Sequence, residues 1–314
     1  MKFVIIYKEH IGPGAVWQQK GVSMVGYILG SYLVETGKIT KEQLQEVLDG
    51  AGKVRVKLGL IAVAEGYMSA AEAEEVNRLQ AVLDKRFGDI AVENGYLTEE
   101  QVGMLLKKQG DAYMVFLQTL VDRNLMDMTE AEQILMNYQK AMQLTDAERE
   151  DIKSGDADRI LPIYLPAEAS EYRELIGVAI RTMIRCVDRD IFFKKGFMAD
   201  SVQGKNGSFQ YVEAIDGSRT CLGLVEENGG FLTTASLFAG EELPELDEDA
   251  LDSCAELLNC MNGIYASAKS KEKIELELMP PTMYREDVEL RGDKPACILP
   301  IIVRGKEMRL IVFG

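Results

Sequence analysis

The first half of the sequence contains four copies of one pattern, each starting 29 residues after the copy before it. The copies begin at Leu29, Leu58, Phe87 and Phe116. A Gly or Asn recurs in step in each copy, at Gly37, Gly66, Gly95 and Asn124. Gly and Asn suit the left-handed conformation at the end of a helix. Tandem repeats of this length are typical of stacked helical units, which strongly restricts the fold of this half.

Each Gly or Asn is followed at a fixed distance by the signals of a new helix. Three residues later stands a side chain that can cap a helix N-terminus, namely Thr40, Ser69, Thr98 or Asp127. Three residues further on, a Gln or Glu completes a capping box, namely Gln43, Glu72, Gln101 or Glu130. Each unit is therefore predicted to contain a short helix, a stop and a longer capped helix. Four stacked units predict an all-α helical repeat domain over residues 24–152.

Residues 1–23 precede the repeats and lack the long apolar stretch of a secretory signal. Lys20, Gly21 and Val22 stand just before Met24, and their codons can contain a ribosome-binding sequence. We therefore interpret Met24 as the true start of translation and residues 1–23 as a translated leader. A genuine N-terminal strand is the alternative.

The second half has a different character. Residues 153–166 contain Gly, small polar residues and two prolines, so we expect a linker there. The next stretch, EYRELIGVAIRTMIRCVDRDI, has the apolar spacing of a long amphipathic helix. Strand-like segments follow, with hairpin turns predicted at residues 228–230 (Asn-Gly-Gly) and 304–306 (Arg-Gly-Lys). We expect an α+β domain over residues 167–314, with long helices on one face of a mainly antiparallel sheet.

The segment LDSCAELLNCMNGIYAS, residues 251–267, is predicted to be a helix with two different faces. At about 100° per residue, one side carries the apolar residues Cys254, Leu258, Met261 and Tyr265. The opposite side, here called the polar stripe, carries Asp252, Glu256, Asn259 and Gly263. Asn and Gly each cost roughly 0.5–1 kcal/mol relative to Ala in a helix interior. The stripe is therefore either a solvated face or a functional surface, and alone it does not decide between the two.

The composition excludes several classes of function. The net charge is −16, with 35 Lys and Arg against 51 Asp and Glu, which argues against nucleic acid or an anionic membrane as a partner. Five cysteines without a C-x-x-C pair argue against a disulfide framework and a zinc site, so we expect a cytoplasmic protein. We interpret Cys254 and Cys260 as packing residues. His10 is the only histidine, so Ser-His, Cys-His and multi-His metal chemistry is nearly excluded. No apolar run approaches the roughly 18 residues of a membrane span.

With these residues identified, the second half resembles the CheC/CheX/FliY family of chemotaxis phosphatases, and CheX most closely. In that family an acidic residue or Ser, a Glu, an Asn and a Pro recur at fixed spacing. Asp252, Glu256, Asn259 and Pro281 match that spacing, with 21 residues between the last two. Gly263 is also similar to the family, and there is a single E-x-x-N helix, as in CheX.

The resemblance implies a phosphatase that hydrolyses the aspartyl phosphate of a phosphorylated CheY-like receiver. Asn259 would orient the attacking water, Glu256 would contact the receiver's active-site lysine, and Asp252 would support the same face. Gly263 would let the partner backbone approach, and Pro281 would end a strand near the site. The resemblance implies no cofactor or metal in this chain, because Mg²⁺ belongs to the receiver. Relatives of CheX form dimers, so a homodimer is one arrangement to expect.

The repeats resemble the N-terminal domain of type II secretion and type IV pilus assembly ATPases, in which tandem 24-residue motifs bind cyclic di-GMP. Residues 57–80 and 86–109 match the length of that motif, with five residues between them. The candidate nucleotide-binding residues are Lys57, Gly59, Gln80, Arg86, Gly88 and Gln109. Only Arg86 keeps the arginine that leads the family motif, and Lys57 cannot present a planar guanidinium. A scaffold or a partner-docking module is the alternative.

Together these observations predict a phosphatase of a phosphorylated receiver, joined to an N-terminal helical module that regulates or docks it. The alternative is a non-enzymatic adaptor of a motility or secretion system, which binds receivers or responds to cyclic di-GMP.

Overall fold

The computed structural model describes residues 24–51 and 54–314, and the predicted leader, residues 1–23, lies outside the described residues. Within the described part, residues 24–164 contain helices and no strand, and the remainder combines helices with one antiparallel sheet. The protein is therefore of mixed α+β class. No helix in the described part of the chain is both long enough and apolar enough to cross a membrane.

Ten helices occupy the described residues between 24 and 164. Their bounds are α1 Met24–Glu35, α2 Lys41–Gly50, α3 Leu58–Ala64, α4 Ala70–Leu83, α5 Phe87–Glu93, α6 Glu99–Lys107, α7 Ala112–Asp122, α8 Met128–Met142, α9 Asp146–Ser154 and α10 Ala157–Tyr164. The repeat corresponds to four helix pairs, α1–α2, α3–α4, α5–α6 and α7–α8. Helix α7 is central, because it packs against α1, α2, α3, α8 and α9.

The four predicted capping boxes are confirmed. In each, the N-cap side chain accepts a hydrogen bond from the backbone N–H three residues later, and the side chain of that later residue bonds back to the N-cap N–H. The N-cap residues are Thr40, Ser69, Thr98 and Asp127. The stops are confirmed as well, with φ between 54° and 73° at Gly37, Gly66, Gly95 and Asn124. Each helix pair is thus defined by interactions between residues close in sequence.

The segment expected to be a linker, residues 153–166, is mostly helical. Gly155 ends α9 with a positive φ, as a turn requires, but α10 begins almost at once. Ile160 and Leu161 of α10 are buried in the core. Their burial stabilises a helix that Gly155 and Pro162 would not favour by local preference, since tertiary packing supplies most of the stability of short helices.

The second part combines a 3-10 helix, three α-helices and eight strands within the described residues. In chain order they are the 3-10 helix Ala167–Tyr172, α11 Arg173–Cys186, β1 Ile191–Phe193, β2 Phe197–Ala199, β3 Val202–Ala214, β4 Arg219–Asn228, α12 Gly230–Ala239, α13 Glu248–Lys271, β5 Leu276–Leu278, β6 Thr282–Leu290, β7 Ala296–Val303 and β8 Lys306–Phe313. The strands follow the order β1-β7-β8-β4-β3-β5, with β2 also paired to β7 and β6 also paired to β3. Helix α13 packs against β3, β4, β5 and β6, and against α11 and α12.

Of the two predicted hairpins, the one at residues 304–306 is confirmed. Strands β7 and β8 pair up to Val303 and Lys306, and the turn between them consists of Arg304 and Gly305, both with positive φ. Two consecutive residues with positive φ are what a tight two-residue hairpin needs.

The hairpin predicted at residues 228–230 is wrong, because β4 leads into helix α12 instead. The carboxylate of Glu226 accepts hydrogen bonds from the first N–H groups of the new segment, including that of Gly229. A Cβ on Gly230 would lie 2.4 Å from the backbone of Glu307 in β8. Gly230 therefore lets the backbone pass close to the neighbouring strand β8. In the sequence, this glycine cannot be distinguished from the glycine of a tight turn.

The two halves share a core at the β1 edge of the sheet. Tyr27 of α1 stacks on Phe192 of β1, with the ring centroids 4.4 Å apart. Tyr164 of α10 meets Phe193 edge-on at 5.5 Å, and its hydroxyl lies 2.9 Å from that of Tyr138. The helical half therefore packs at the edge of the sheet opposite to β3 and β5.

One ion-pair cluster ties the repeats to the helix that follows them. Glu65, just after α3, has a side chain that is 13% exposed and pairs with Lys108 and with Lys153 of α9, the latter at 2.8 Å. Burial by itself would raise the pKa of Glu65, but hydrogen bonds and charges from the two lysines lower this pKa below its usual value.

We expect Glu65→Gln to destabilise the protein by about 1–3 kcal/mol near neutral pH and much less in acid. The pKa of Glu65 is lower in the folded than in the unfolded chain, so its charge stabilises the fold above the unfolded pKa. That contribution is lost as the pH falls through the folded pKa. Chemical denaturation of both proteins at about pH 7 and at about pH 3 measures the difference. An equal difference in free energy of unfolding at both pH values would contradict the prediction.

Candidate functional site

Helix α13 holds the polar stripe on its solvent side. The helix begins at Asp247, whose side chain caps it, and its first turn is acidic, as the helix dipole favours. The opposite side is buried in the core and includes Cys254, Leu258 and Met261. In the stripe, Asp252, Glu256 and Asn259 are exposed and Gly263 is half-buried. The fold therefore presents the stripe to solvent along more than three helical turns.

The amide of Asn259 is tied to the sheet beneath it. Gln210 of β3 donates a hydrogen bond from Nε2 to Asn259 Oδ1 at 2.9 Å. Within residues 24–51 and 54–314 this is the only hydrogen bond of the Asn259 side chain. Because an amide oxygen has two lone pairs, one lone pair and both N–H hydrogens of Asn259 stay available to a partner.

Gln210 is held in turn by two further hydrogen bonds. Its Nε2 also donates to the backbone carbonyl of Met279 at 2.8 Å, and its Oε1 accepts from Asn262 Nδ2 at 2.8 Å. Gln210 is 1% exposed and Asn262 is 0% exposed, and Oδ1 of Asn262 has no partner in the described part of the chain. Leaving a buried acceptor unpaired costs about 1–3 kcal/mol.

Sequence reasoning missed this buried chain of amides. In the strand segment SFQYVEAI, the alternation of residues suggests that Phe209 and Tyr211 face the main core, yet Ser208 and Gln210 are the fully buried ones. The two aromatic residues pack instead in a smaller cluster around Phe313. The only signal in the sequence is that a Gln interrupts an otherwise strand-forming run.

Two carboxylates accompany Asn259 on the stripe. Glu256 lies about one turn before it, and Asp252 lies one turn earlier still. Neither carboxylate forms a hydrogen bond or ion pair with another described residue. Asp252 also lines an open cavity of 400 Å³ together with Met283 and Arg285 of β6. No group of three His, Cys, Asp or Glu side chains in the described part of the chain is placed to hold a metal ion.

Gly263 and Pro281, the remaining predicted site residues, have different surroundings. Apart from its own helix backbone, no atom lies within 4 Å of the point where a Cβ on Gly263 would be. Pro281 is half-buried and directly precedes β6, two residues after Met279. Gln210 bonds both the carbonyl of Met279 and the amide of Asn259. The segment of Pro281 is thus connected to Asn259 through Gln210.

The two cysteines of α13 differ in environment. Cys254 is buried, as interpreted from the sequence, but Cys260 is exposed, so its interpretation as a packing residue is wrong. Cys260 directly follows Asn259 on the helix. Desolvation of its sulfur, assisted by the nearby Cys186 and Glu256, raises the pKa of the Cys260 thiol.

Two of the six candidate nucleotide-binding residues are sites of helix packing. A Cβ on Gly59 would lie 2.9 Å from the ring of Phe87, and one on Gly88 would lie 3.0 Å from Val102. Both glycines are buried; Gly59 lets the first turn of α3 pack closely on α5, and Gly88 lets the first turn of α5 pack closely on α6. Packing alone therefore accounts for glycine at both positions.

The other four candidates are polar. Lys57 and Arg86 are the exposed residues that precede α3 and α5, and Lys57 forms an ion pair of 3.3 Å with Asp122. Gln80 is exposed at the end of the first motif. Gln109 donates a hydrogen bond at 3.0 Å to the backbone carbonyl of the residue before Lys57. Lys57 and Gln109 thus have partners within the chain.

Comparison with known proteins finds similarity only among solved structures, since no family model and no curated protein matches the chain. The chemotaxis protein CheX of Desulfovibrio desulfuricans matches with 9% identity and a TM-score of 0.39, over 45% of this chain and 97% of that chain. CheX from Vibrio vulnificus matches with 12% identity and a TM-score of 0.40, over 46% and 98%. A CheX–CheY–BeF3–Mg²⁺ complex from Borrelia burgdorferi matches with 14% identity and a TM-score of 0.37, over 44% and 94%. Each of the three matches covers less than half of this chain.

We expect Gly59→Ala to destabilise the protein by about 1–3 kcal/mol, because its new methyl group would overlap the Phe87 ring. Gly103→Ala is the matched control, since Gly103 lies inside α6 with nothing within 4 Å of an added Cβ. This control should gain about 0.5–1 kcal/mol from helix propensity. Thermal denaturation compares the two variants. If Gly59→Ala is stabilised like Gly103→Ala, packing is not the reason for this glycine.

We expect iodoacetamide to label Cys186 and Cys260 in the native protein and to spare the three buried cysteines until the chain unfolds. The protected residues are Cys221, Cys254 and Cys297. Labelling of Cys260 should accelerate with rising pH, because its raised pKa keeps the thiol protonated near neutrality. Peptide mass spectrometry measures each site. Native labelling of Cys254 at the rate of Cys260 would show that the assigned face of α13 is wrong.

Proposed function

We propose that this protein hydrolyses the aspartyl phosphate of a CheY-like receiver and that α13 is its docking helix. The observation that carries the proposal is the exposed amide of Asn259, which Gln210 holds from beneath. Glu256 precedes it on the helix, and its carboxylate pairs with no other described residue. The identity of the partner rests on the sequence resemblance of Asp252, Glu256, Asn259 and Pro281 to the CheX pattern.

Hydrolysis of an aspartyl phosphate depends more on positioning of the water than on acid–base catalysis. An aspartyl phosphate is a reactive acyl phosphate, so the catalyst mainly has to place a water in line with the phosphorus. The free lone pair of Asn259 Oδ1 can accept a hydrogen of that water, and Nδ2 can donate to a phosphoryl oxygen. The amide carries no titrating charge. Holding the water in one orientation lowers the entropic part of the barrier.

The charge of the stripe restricts the partner surface that fits it. Glu256 and Asp252 are exposed and lack a cationic partner in the described chain. A lysine beside the phosphoaspartate of the receiver would pair with Glu256 and fix the register of Asn259 over the phosphorus. Since the stripe offers no Arg or Lys to the phosphoryl group, Mg²⁺ and lysine on the receiver would have to balance that charge.

We propose the helical half as a regulatory or docking module. It packs at the β1 edge through contacts such as Tyr27 on Phe192, whereas Gln210 and Asn259 lie on the β3 side. This arrangement leaves the stripe open to a receiver. A non-enzymatic adaptor, which binds receivers without hydrolysing them, is the alternative that the same experiment tests.

Asn259→Ala is expected to lower the acceleration of receiver dephosphorylation by about 10²-fold, because the variant still docks but no longer orients the water. Glu256→Ala is expected mainly to raise KM, because it removes a docking contact. Receivers of the same organism, phosphorylated with a small-molecule phosphodonor, are followed for loss of phosphate with and without each protein.

Ser270→Ala is the matched control for this experiment. Ser270 is exposed on the same side of α13 and lies about 16 Å beyond Asn259 along the helix axis. The control should accelerate dephosphorylation as the wild type does. If the wild type accelerates dephosphorylation of none of the receivers, the phosphatase proposal is wrong, and binding without acceleration would support the adaptor.

A further inference from the structure

We infer that Gln210 is a positioning residue that sets the orientation of the Asn259 amide. The inference rests on the proposed function, because it concerns how the same site presents its water-orienting group. It adds a residue on β3 that is remote in sequence from the stripe and from Pro281.

The orientation of Gln210 itself is set by a group that can only accept. The backbone carbonyl of Met279 lies 2.8 Å from Gln210 Nε2, so the amino end of the Gln210 side chain must face it. The second hydrogen of the same Nε2 points at Asn259 Oδ1, 2.9 Å away. The carbonyl end of Gln210 is then left for Asn262 Nδ2, at 2.8 Å.

This series of hydrogen bonds determines which end of the Asn259 amide faces outward. Since Gln210 Nε2 can only donate, it binds Oδ1 of Asn259 and directs Nδ2 toward the partner side. The last torsion of an Asn side chain has a broad, shallow preference, so an Asn without such a partner samples both faces. Gln210 thus restricts rotation of the Asn259 amide, which would otherwise misplace the water that the amide orients.

Ser208, on the same strand, forms an ordinary structural hydrogen bond between strand and helix. Ser208 is fully buried, two residues before Gln210, and donates at 3.1 Å to the backbone carbonyl of Leu251 in α13. Its bond ends on the backbone of the helix. The hydrogen bond from Gln210 to Asn259 ends instead on an exposed side chain of the polar stripe, which a purely structural hydrogen bond would not need.

The test compares Gln210→Met with Ser208→Ala in the full-length protein, using the receiver assay described for Asn259. Gln210→Met keeps the length of the side chain but removes its donor. We expect kcat to fall about tenfold to a hundredfold, with KM within about twofold of wild type. Ser208→Ala should keep the wild-type kcat. If the Met variant does not fold, Gln210→Leu replaces it, because leucine is smaller and also has no donor for Asn259 Oδ1.

A second readout does not depend on phosphatase activity. Nuclear magnetic resonance of protein carrying ¹⁵N in its Asn side chains gives the order parameter of Asn259 Nδ2, with the signal assigned by its loss in Asn259→Ala. This order parameter should fall in Gln210→Met and stay at the wild-type value in Ser208→Ala.

The outcomes separate this inference from the proposed function. The inference is supported if Gln210→Met loses kcat and has a mobile Asn259 amide while Ser208→Ala shows neither change. Equal kcat and equal order parameters in the Gln210 and Ser208 variants overturn it. If wild-type protein dephosphorylates no receiver, the proposed function fails. The order parameter then decides alone, with a fall in Gln210→Met supporting the positioning role and an unchanged value overturning it.

Discussion

The burial of the apolar side of α13 against the sheet is the interaction on which the rest of the site depends. Cys254, Leu258 and Met261 are completely buried, and the helix contacts the neighbouring helices as well as four strands. Because successive residues turn by about 100°, fixing this side forces Glu256 and Asn259 toward solvent. The geometry of the stripe is therefore a consequence of core packing and not of the stripe residues themselves.

Directly beneath the stripe, the layer between α13 and β3 contains amides where most of the core is apolar. Gln210 and Asn262 are buried, and one acceptor of Asn262 is unpaired in the described chain. A core optimised only for stability would replace both by apolar side chains of similar size. Functional sites are where proteins are expected to depart from such consistency, and here the departure leads to Asn259.

The helical half contributes to the same core but from the other edge of the sheet. Its helix pairs are defined locally by caps and stops, and aromatic contacts such as that of Tyr27 with Phe192 join it to β1. Local signals predicted the helix starts, because a cap and its partner are three residues apart. They did not predict the helix within residues 153–166, whose buried Ile160 and Leu161 gain stability only from contacts with other elements.

The sequence alone determined those features whose interacting atoms lie within a turn or two of each other: the capping boxes, the hairpin at residues 304–306, and the two faces of α13 that put Asn259 beside Glu256. Tertiary structure decided that Gly230 passes over β8 instead of making a hairpin, and that Gln210 supports Asn259 from a position 49 residues away. The physical reason is one of range. Caps and turns are satisfied by neighbouring residues, whereas a buried amide is satisfied only once the whole core has placed its partners around it.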